Sequence, residues 1–161
     1  FLLKMNASQL FKMTEINRRS EGKQEGYQRV LSGGRTRAIS NYIQRGGSIP
    51  GAIVVSFDDA SFDDSSGELS ITGAESAGWV IDGQHRLVGA WEASEKKFDI
   101  ELAIVAFLEA TTEEQIELFV TINREAKGVP TSLYLDLLND LPRKKPIKKF
   151  LMSALSISPN D

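Results

Sequence analysis

The sequence predicts an α/β (α+β) domain in which a small mixed sheet is flanked by helices. Short β-branched runs typical of buried strands alternate with segments whose apolar residues recur at helical spacing. Glycines and prolines separate these segments, and no internal repeat or low-complexity stretch interrupts them. The chain has 161 residues, 41% hydrophobic and 25% charged, which suits a single domain with its own core over 1–161.

The first third of the chain predicts two helices and a strand. Ser8 is a candidate N-cap for a helix through "QLFKMTEINRR". The stretch "RTRAISNYIQRGG" predicts a second helix, with Ile39, Tyr42 and Ile43 on one face and a Gly-Gly stop. Pro50 then precedes "GAIVVSF", a β-branched run typical of a buried strand.

The acidic stretch "DDASFDDSSGE" that follows predicts a turn-rich, mobile loop. Its four aspartates suggest calcium, but the stretch lacks the central glycine and the closing glutamate of an EF-hand loop. We therefore predict no metal site. The next run, "LSITG", predicts a strand.

The second half of the chain predicts two more strands, each followed by a helix. "GWVID" leads into the helix "QHRLVGAWEAS", with Leu87, Val88 and Trp91 facing inward. "FDIELAIVAF" predicts a long strand, and Thr111 or Thr112 is placed to cap the helix "TTEEQIELFVTINREA". Two further helices are predicted in "GVPTSLYLDLLNDLP" and "KPIKKFLMSALSI", the latter within a basic helical extension over 139–161.

Charge is unevenly distributed along the chain, although the net charge is only −3. Residues 1–50 hold nine basic and three acidic side chains, 51–125 hold four and sixteen, and 126–161 hold six and three. Basic ends around an acidic middle can mark a nucleic-acid contact, whereas solvated helix faces are the simpler interpretation. The candidate DNA-binding residues are Lys144, Lys145, Lys148 and Lys149.

The residue inventory excludes several classes of protein. There is no cysteine, which excludes disulfides, thiolate catalysis and cysteine-ligated metals, and a single histidine cannot form a His-rich zinc site. No apolar run approaches the roughly 20 residues of a membrane span, so we expect no membrane association and a cytoplasmic location. Because the chain starts at Phe1 without a signal-peptide pattern, we interpret it as a piece of a longer protein.

The side chains best suited to binding or catalysis lie in the segment "IDGQHR", the corner between a predicted strand and a predicted helix. Asp82 and Gly83 end a strand, and Gln84, His85 and Arg86 open a helix. Unpaired N–H groups at a helix start attract anions, and an arginine fork suits phosphate. Asp82 is placed to cap the helix, to hold Mg²⁺ or to orient His85. Alternatively, the corner is only a capped turn with local hydrogen bonds.

"IDGQHRLVGAW" resembles the signature of DGQHR-domain proteins, among them the DndB-type proteins associated with DNA sulfur (phosphorothioate) modification. The corner is also similar to that of the wider ParB/sulfiredoxin-like superfamily. That resemblance implies a ParB-like fold and phosphate or nucleotide binding by Gly83, Gln84, His85 and Arg86. Sulfiredoxin chemistry is excluded, because Gln84 stands where those enzymes need a cysteine.

Two further segments extend the resemblance over roughly residues 28–138. "IELFVTINREAKGVPTS" is similar to the asparagine segment that follows the motif in DGQHR and related DGQQR proteins, which implies that Asn123 and Arg124 lie near the same pocket. "RTRAISNYIQRGGSIPGAIVVSF" matches the ParB-like opening, in which a helix precedes a strand.

Three functions remain open from the sequence. The resemblance implies a DNA-associated regulator of phosphorothioate modification, with DNA and other modification proteins as partners. The alternative is an enzyme, a nucleoside triphosphatase or nuclease: Arg86 would neutralise phosphate, Gln84 or His85 would orient water, and Asp82 would position Mg²⁺ with a nucleoside triphosphate. The third possibility is that the chain is a structural piece of a larger protein. The oligomeric state is not predicted.

Overall fold

The computed structural model describes residues 1–16, 31–73 and 75–125. Its strands are β1 (Leu2–Asn6), β2 (Thr14–Ile16), β3 (Ile53–Phe57), β4 (Ala60–Asp63), β5 (Glu68–Ile71), β6 (Gly78–Asp82) and β7 (Glu101–Leu108). Its helices are α1 (Ala7–Met13), α2 (Gly33–Gln44), α3 (Gln84–Ser94) and α4 (Thr112–Glu125). The two helices predicted beyond residue 128, including the basic extension over 139–161, lie outside the described residues.

Five of the strands form a mixed sheet in the order β1-β7-β3-β6-β2. β3 runs parallel to β7 and antiparallel to β6, while β2 is parallel to β6 and β1 antiparallel to β7. Val55, in the central strand, pairs with Val80 on one side and Ala106 on the other. This mixed sheet with flanking helices confirms the predicted fold class.

The core lies between one face of the sheet and helices α1, α2 and α3. Alternate residues of β3, Ile53, Val55 and Phe57, are fully buried in it. Helices α2 and α3 approach closely at Gly89, where an added Cβ would lie 2.6 Å from Ile39 Cγ2. This close approach packs α2 directly against α3.

The N-terminal segment differs from the single long helix predicted there. Leu2–Asn6 forms an edge strand on β7, α1 is only seven residues long, and the chain returns to the sheet as β2. Asn6 rather than Ser8 stands at the N-cap position, and Ser8 donates from its backbone N–H and its hydroxyl to the carboxylate of Asp99, at 3.1 and 2.5 Å. Pairing with distant strands overrides the local helical pattern.

The acidic stretch forms the first strand and the turn of a hairpin, so the loop prediction was wrong at Ala60–Asp63, while the strand predicted in "LSITG" occurs as β5. β4 and β5 pair in register from Ala60↔Ile71 to Asp63↔Glu68, which leaves a four-residue turn. Asp63 closes this turn by accepting hydrogen bonds from the N–H and hydroxyl of Ser65, at 2.8 and 2.6 Å. These bonds lower the pKa of Asp63 to about 2.

The remaining predicted elements occur close to their expected positions. α3 spans the residues predicted for it, with Leu87 and Val88 buried, whereas Trp91 is only half-buried and stacks on Phe11. Thr111 caps α4 in a capping box, because its N–H donates to Glu114 Oε2 (2.8 Å) and its Oγ1 accepts from the N–H of Glu114 (3.3 Å). In the described ranges no helix is both long and apolar enough to cross a membrane.

Candidate functional site

The turn between β6 and α3 depends on Gly83, whose φ of 91° is in the left-handed region. A Cβ at this position would lie 2.8 Å from Ile53 Cδ1 and 3.1 Å from Arg86 Nη2, so the turn also has no room for a larger residue. Gly83 occupies the N-cap position, and no side chain caps the helix. The prediction that Asp82 caps α3 is therefore wrong.

Asp82 instead forms an ion pair with Arg86, one helical turn later. Arg86 Nη2 lies 2.8 Å from Asp82 Oδ2, and the two side chains are 27% and 30% exposed. Arg86 Nη1 also donates to the carbonyl of Pro50 at 3.4 Å. The guanidinium lies against Gly51, where a Cβ would be 2.7 Å from Nη1. Glycines and a carboxylate thus fix the orientation of this cation.

His85 connects the starts of two helices. Its Nε2 accepts a hydrogen bond from the backbone N–H of Ser32 at 3.1 Å, immediately before α2. Burial lowers the pKa of His85 below 6.5, and the positive charge of Arg35 lowers it further. The imidazole is therefore neutral at pH 7, and the accepting Nε2 places its proton on Nδ1.

These groups line a cavity of about 240 Å³ between the starts of α2 and α3 and one face of α4. The whole predicted corner, from Asp82 to Arg86, contributes to its wall. Ile39, Ile81 and Phe119 provide an apolar side. The cavity therefore offers a charged end at the turn and an apolar surface beside it, a combination common in ligand sites.

The structure brings Asn123 to the same cavity as Arg86, as the asparagine segment implied. Asn123 Nδ2 donates to the carbonyl of Phe119 at 2.8 Å, which orients the amide on the surface of α4. Gln84, also in the wall, is 8% exposed. The side chain of Arg124 and the lysines at 144, 145, 148 and 149 lie outside the described part of the chain. The binding roles of all these residues stay predictions.

Arg35 and Phe119 are cavity residues that sequence reasoning did not select. Arg35 is exposed in the first turn of α2 and makes no ion pair with any described residue. The sequence signal was the Gly-Gly-Arg at the start of a helix, which is another potential anion-binding feature. Phe119 is one of the apolar residues at helical spacing in "TTEEQIELFVTINREA", and periodicity does not distinguish a pocket residue from a core residue.

The cavity wall carries two arginines against a single carboxylate, that of Asp82. Together with the positive ends of two helices, this arrangement favours an anionic ligand. It suits Mg²⁺ poorly, because the ion is usually held by free carboxylates as well as ligand phosphates, and Asp82 is already paired with Arg86. Among the described residues no group of three or more metal-ligating side chains occurs.

Comparison with known structures shows the same fold in the C-terminally truncated chromosome-partitioning protein ParB from Caulobacter crescentus, whose crystal structure is a complex with CTP-gamma-S. The TM-score is 0.55 at 15% sequence identity, and the match covers 98% of this chain and 81% of that one. At this identity the likeness establishes the fold alone. No curated protein matches the sequence.

A family model gives the assignment that the structural likeness cannot. The model for DndB, described as DNA-sulfur modification-associated, matches residues 1–157. The match contains the DGQHR corner, the asparagine segment and every described strand and helix. Since it spans nearly the whole chain, this protein belongs to the DndB family of DNA-sulfur modification-associated proteins.

Proposed function

We propose that the protein is a DNA-associated regulator of a DNA phosphorothioate modification system, and that its cavity binds the phosphate of a nucleotide as a sensor. The observation that carries the nucleotide part is the convergence of Arg35 and Arg86 on one cavity at the starts of two helices. Membership of the DndB family supports the association with DNA sulfur modification.

Phosphate fits the charged end of the cavity for physical reasons. Arg86 is held by Asp82 through Nη2, and its planar guanidinium carries further N–H donors. Arg35 is exposed in the first turn of α2 and lines the cavity, and we expect its guanidinium to donate to the phosphate as well. Charge-assisted hydrogen bonds to such groups are about twice as strong as neutral ones.

A nucleotide is favoured over a bare phosphate by the apolar side of the cavity. Ile39, Ile81 and Phe119 offer a surface to a base or ribose, and a phosphate alone would leave that surface unused. The ParB protein of the same fold was solved with CTP-gamma-S, which supports a nucleotide ligand for this fold.

The enzyme alternative finds less support in the geometry. A neutral histidine acts as a base through its unprotonated nitrogen, and that nitrogen of His85 already accepts the N–H of Ser32. Asp82 is engaged by Arg86 rather than free to position Mg²⁺. Binding without turnover is the function that these two contacts favour.

Titration of the chain with ATP, GTP and CTP, each with and without Mg²⁺, tests the nucleotide proposal. We expect binding of at least one nucleotide, and we expect Arg35→Ala and Arg86→Ala each to weaken it by about 1.5–3 kcal/mol. Lys96→Ala is a matched control, since Lys96 is exposed and does not line the cavity. Absence of binding in the wild type would refute the sensor, and phosphate release would favour the enzyme.

Duplex DNA titrations test the second part of the proposal. We expect salt-dependent binding by the wild-type chain, because contacts to phosphates release counterions. Replacing Lys144, Lys145, Lys148 and Lys149 by alanine should weaken that binding. A wild-type chain that does not bind duplex DNA at low salt would contradict the proposed DNA association.

A further inference from the structure

The outward face of α2 carries a stripe of polar side chains made of Arg37, Asn41 and Arg45. The last of these is the C-cap residue. All three are exposed, and they follow one another at intervals of four residues, so they lie on one side of the helix. Ile39 and Ile43, on the opposite side, are buried in the core. The stripe is therefore on the side of α2 opposite the core that the described residues form.

This stripe carries positive charge that no described residue neutralises. Between residues 31 and 50 there are three arginines and no acidic residue. Neither Arg37 nor Arg45 forms an ion pair within 1–16, 31–73 and 75–125, whereas Lys4 on β1 is paired with Glu101 at 2.9 Å. The guanidinium of Arg37 lies over Gly33, 4.0 Å from the position of a Cβ there. Such a surface favours a polyanion.

We propose that the Arg37–Asn41–Arg45 stripe is a surface that contacts the phosphate backbone of duplex DNA. The inference rests on the proposed DNA association and names a surface for it. At a rise of about 1.5 Å per residue, the two arginines start about 12 Å apart along the helix, with Asn41 midway. Arginine and asparagine are both common donors to DNA phosphates, and an exposed helix fits a major groove about 12 Å wide.

The stripe is separate from the nucleotide cavity, although both use α2. Arg35 lines the cavity, whereas Arg37, Asn41 and Arg45 do not. Substitutions in the stripe should therefore leave nucleotide binding unchanged, which makes the two surfaces separable by mutation.

The test is the salt dependence of duplex DNA binding by the full chain and by the Arg37→Ala/Arg45→Ala variant. Each lost phosphate contact reduces the slope of log K against log salt by about 0.9, so the double variant should lose about 1.8. The ratio of the wild-type to the variant binding constant for duplex DNA should therefore fall roughly tenfold between about 50 and 200 mM salt. Alanine is a good helix former at exposed positions, so the fold should be retained, as circular dichroism would verify.

Two variants separate a local contact from a general effect of charge. Lys12→Ala/Lys96→Ala also removes two positive charges from exposed positions that form no ion pair with a described residue, but neither residue is on α2, and the slope of this variant should stay near that of the wild type. Arg37→Lys/Arg45→Lys keeps the charge and should retain most of the slope.

The possible outcomes distinguish this inference from the proposed function. A wild-type chain that does not bind duplex DNA overturns both. Wild-type binding with an unchanged slope in the double alanine variant overturns the surface alone, as does an equal loss in the lysine control. The stripe is also overturned as a DNA surface if the double alanine variant loses binding to an RNA hairpin or an acidic peptide but binds duplex DNA like the wild type.

Discussion

Arg86 and Asp82 form an ion pair across one turn at the start of α3, with Nη2 2.8 Å from Oδ2 and the two side chains only 27% and 30% exposed. The pair has two consequences for the cavity. It fixes the guanidinium that we expect to bind phosphate, and it reduces the charge that a ligand meets. Removing either partner leaves the other partly buried and alone, which affects stability as well as binding.

Arg86→Ala should lower the free energy of unfolding by about 1–2 kcal/mol, because the carboxylate of Asp82 loses its partner in a partly buried position. Urea denaturation of Arg86→Ala, Asp82→Ala and the double variant measures this. We expect the double variant to be less destabilised than the sum of the two single variants. Additive losses would mean that the ion pair contributes nothing to stability.

Gly83→Ala should destabilise the fold by about 2–4 kcal/mol, because the alanine must adopt a left-handed backbone and its Cβ meets Ile53 and Arg86. Gly67→Ala is the matched control: its φ of 72° is also left-handed, but no atom lies within 4 Å of the added Cβ. It should cost only about 1 kcal/mol. Similar losses in urea melts of the two variants would refute the crowding at Gly83.

His85 should titrate below its usual pKa of 6.5, because burial and then Arg35 disfavour the imidazolium. The unfolded chain then takes up the proton first, so the contribution of His85 to stability is constant above about pH 7 and is lost as the pH falls from about 6.5 through the lower folded-state pKa. As the only histidine, it gives a single set of imidazole signals for NMR titration. Arg35→Ala should move its pKa upward.

A folded-state pKa of His85 at or above 6.5 would contradict this environment. Because carboxylates also titrate in acid, the pH dependence of stability must be compared with that of a His85→Asn variant. The difference between the two curves should grow as the pH falls below about 6.5 and be flat above pH 7.

Local sequence signals were sufficient for the elements with strong periodicity or clear termini. α3 follows a buried strand and a glycine turn, and α4 begins with a Thr-x-x-Glu capping box, so both helices were predicted. β1, β2 and β4 were missed, because each depends on a partner strand rather than on its own pattern, whereas β5 was predicted from "LSITG". Distant pairing is not visible in a window of a few residues.

The candidate site was predicted only in part, because some of its residues are distant from one another in sequence. The corner from Asp82 to Arg86 is contiguous in sequence, so its chemistry could be recognised directly. Arg35 reaches the cavity because α2 packs on α3, and a local sequence pattern does not predict that contact. Of the roles considered for Asp82, helix capping was wrong, because capping and pairing with Arg86 both place a carboxylate at this turn and a local sequence pattern does not distinguish them.

Trp91 joins α3 to α1 through a stacked pair with Phe11, with ring centroids 4.2 Å apart and planes inclined by 8°. Since Trp91 is only half-buried, Trp91→Ala should cost about 2–3 kcal/mol, less than the 3–5 kcal/mol of a fully buried aromatic truncation. Trp91→Phe keeps a ring for stacking and should cost less than half of that. Chemical denaturation followed by circular dichroism measures both. A Trp91→Ala loss below about 0.5 kcal/mol would show that α1 is held by β1, β2 and Leu10 alone, and that the stack adds nothing.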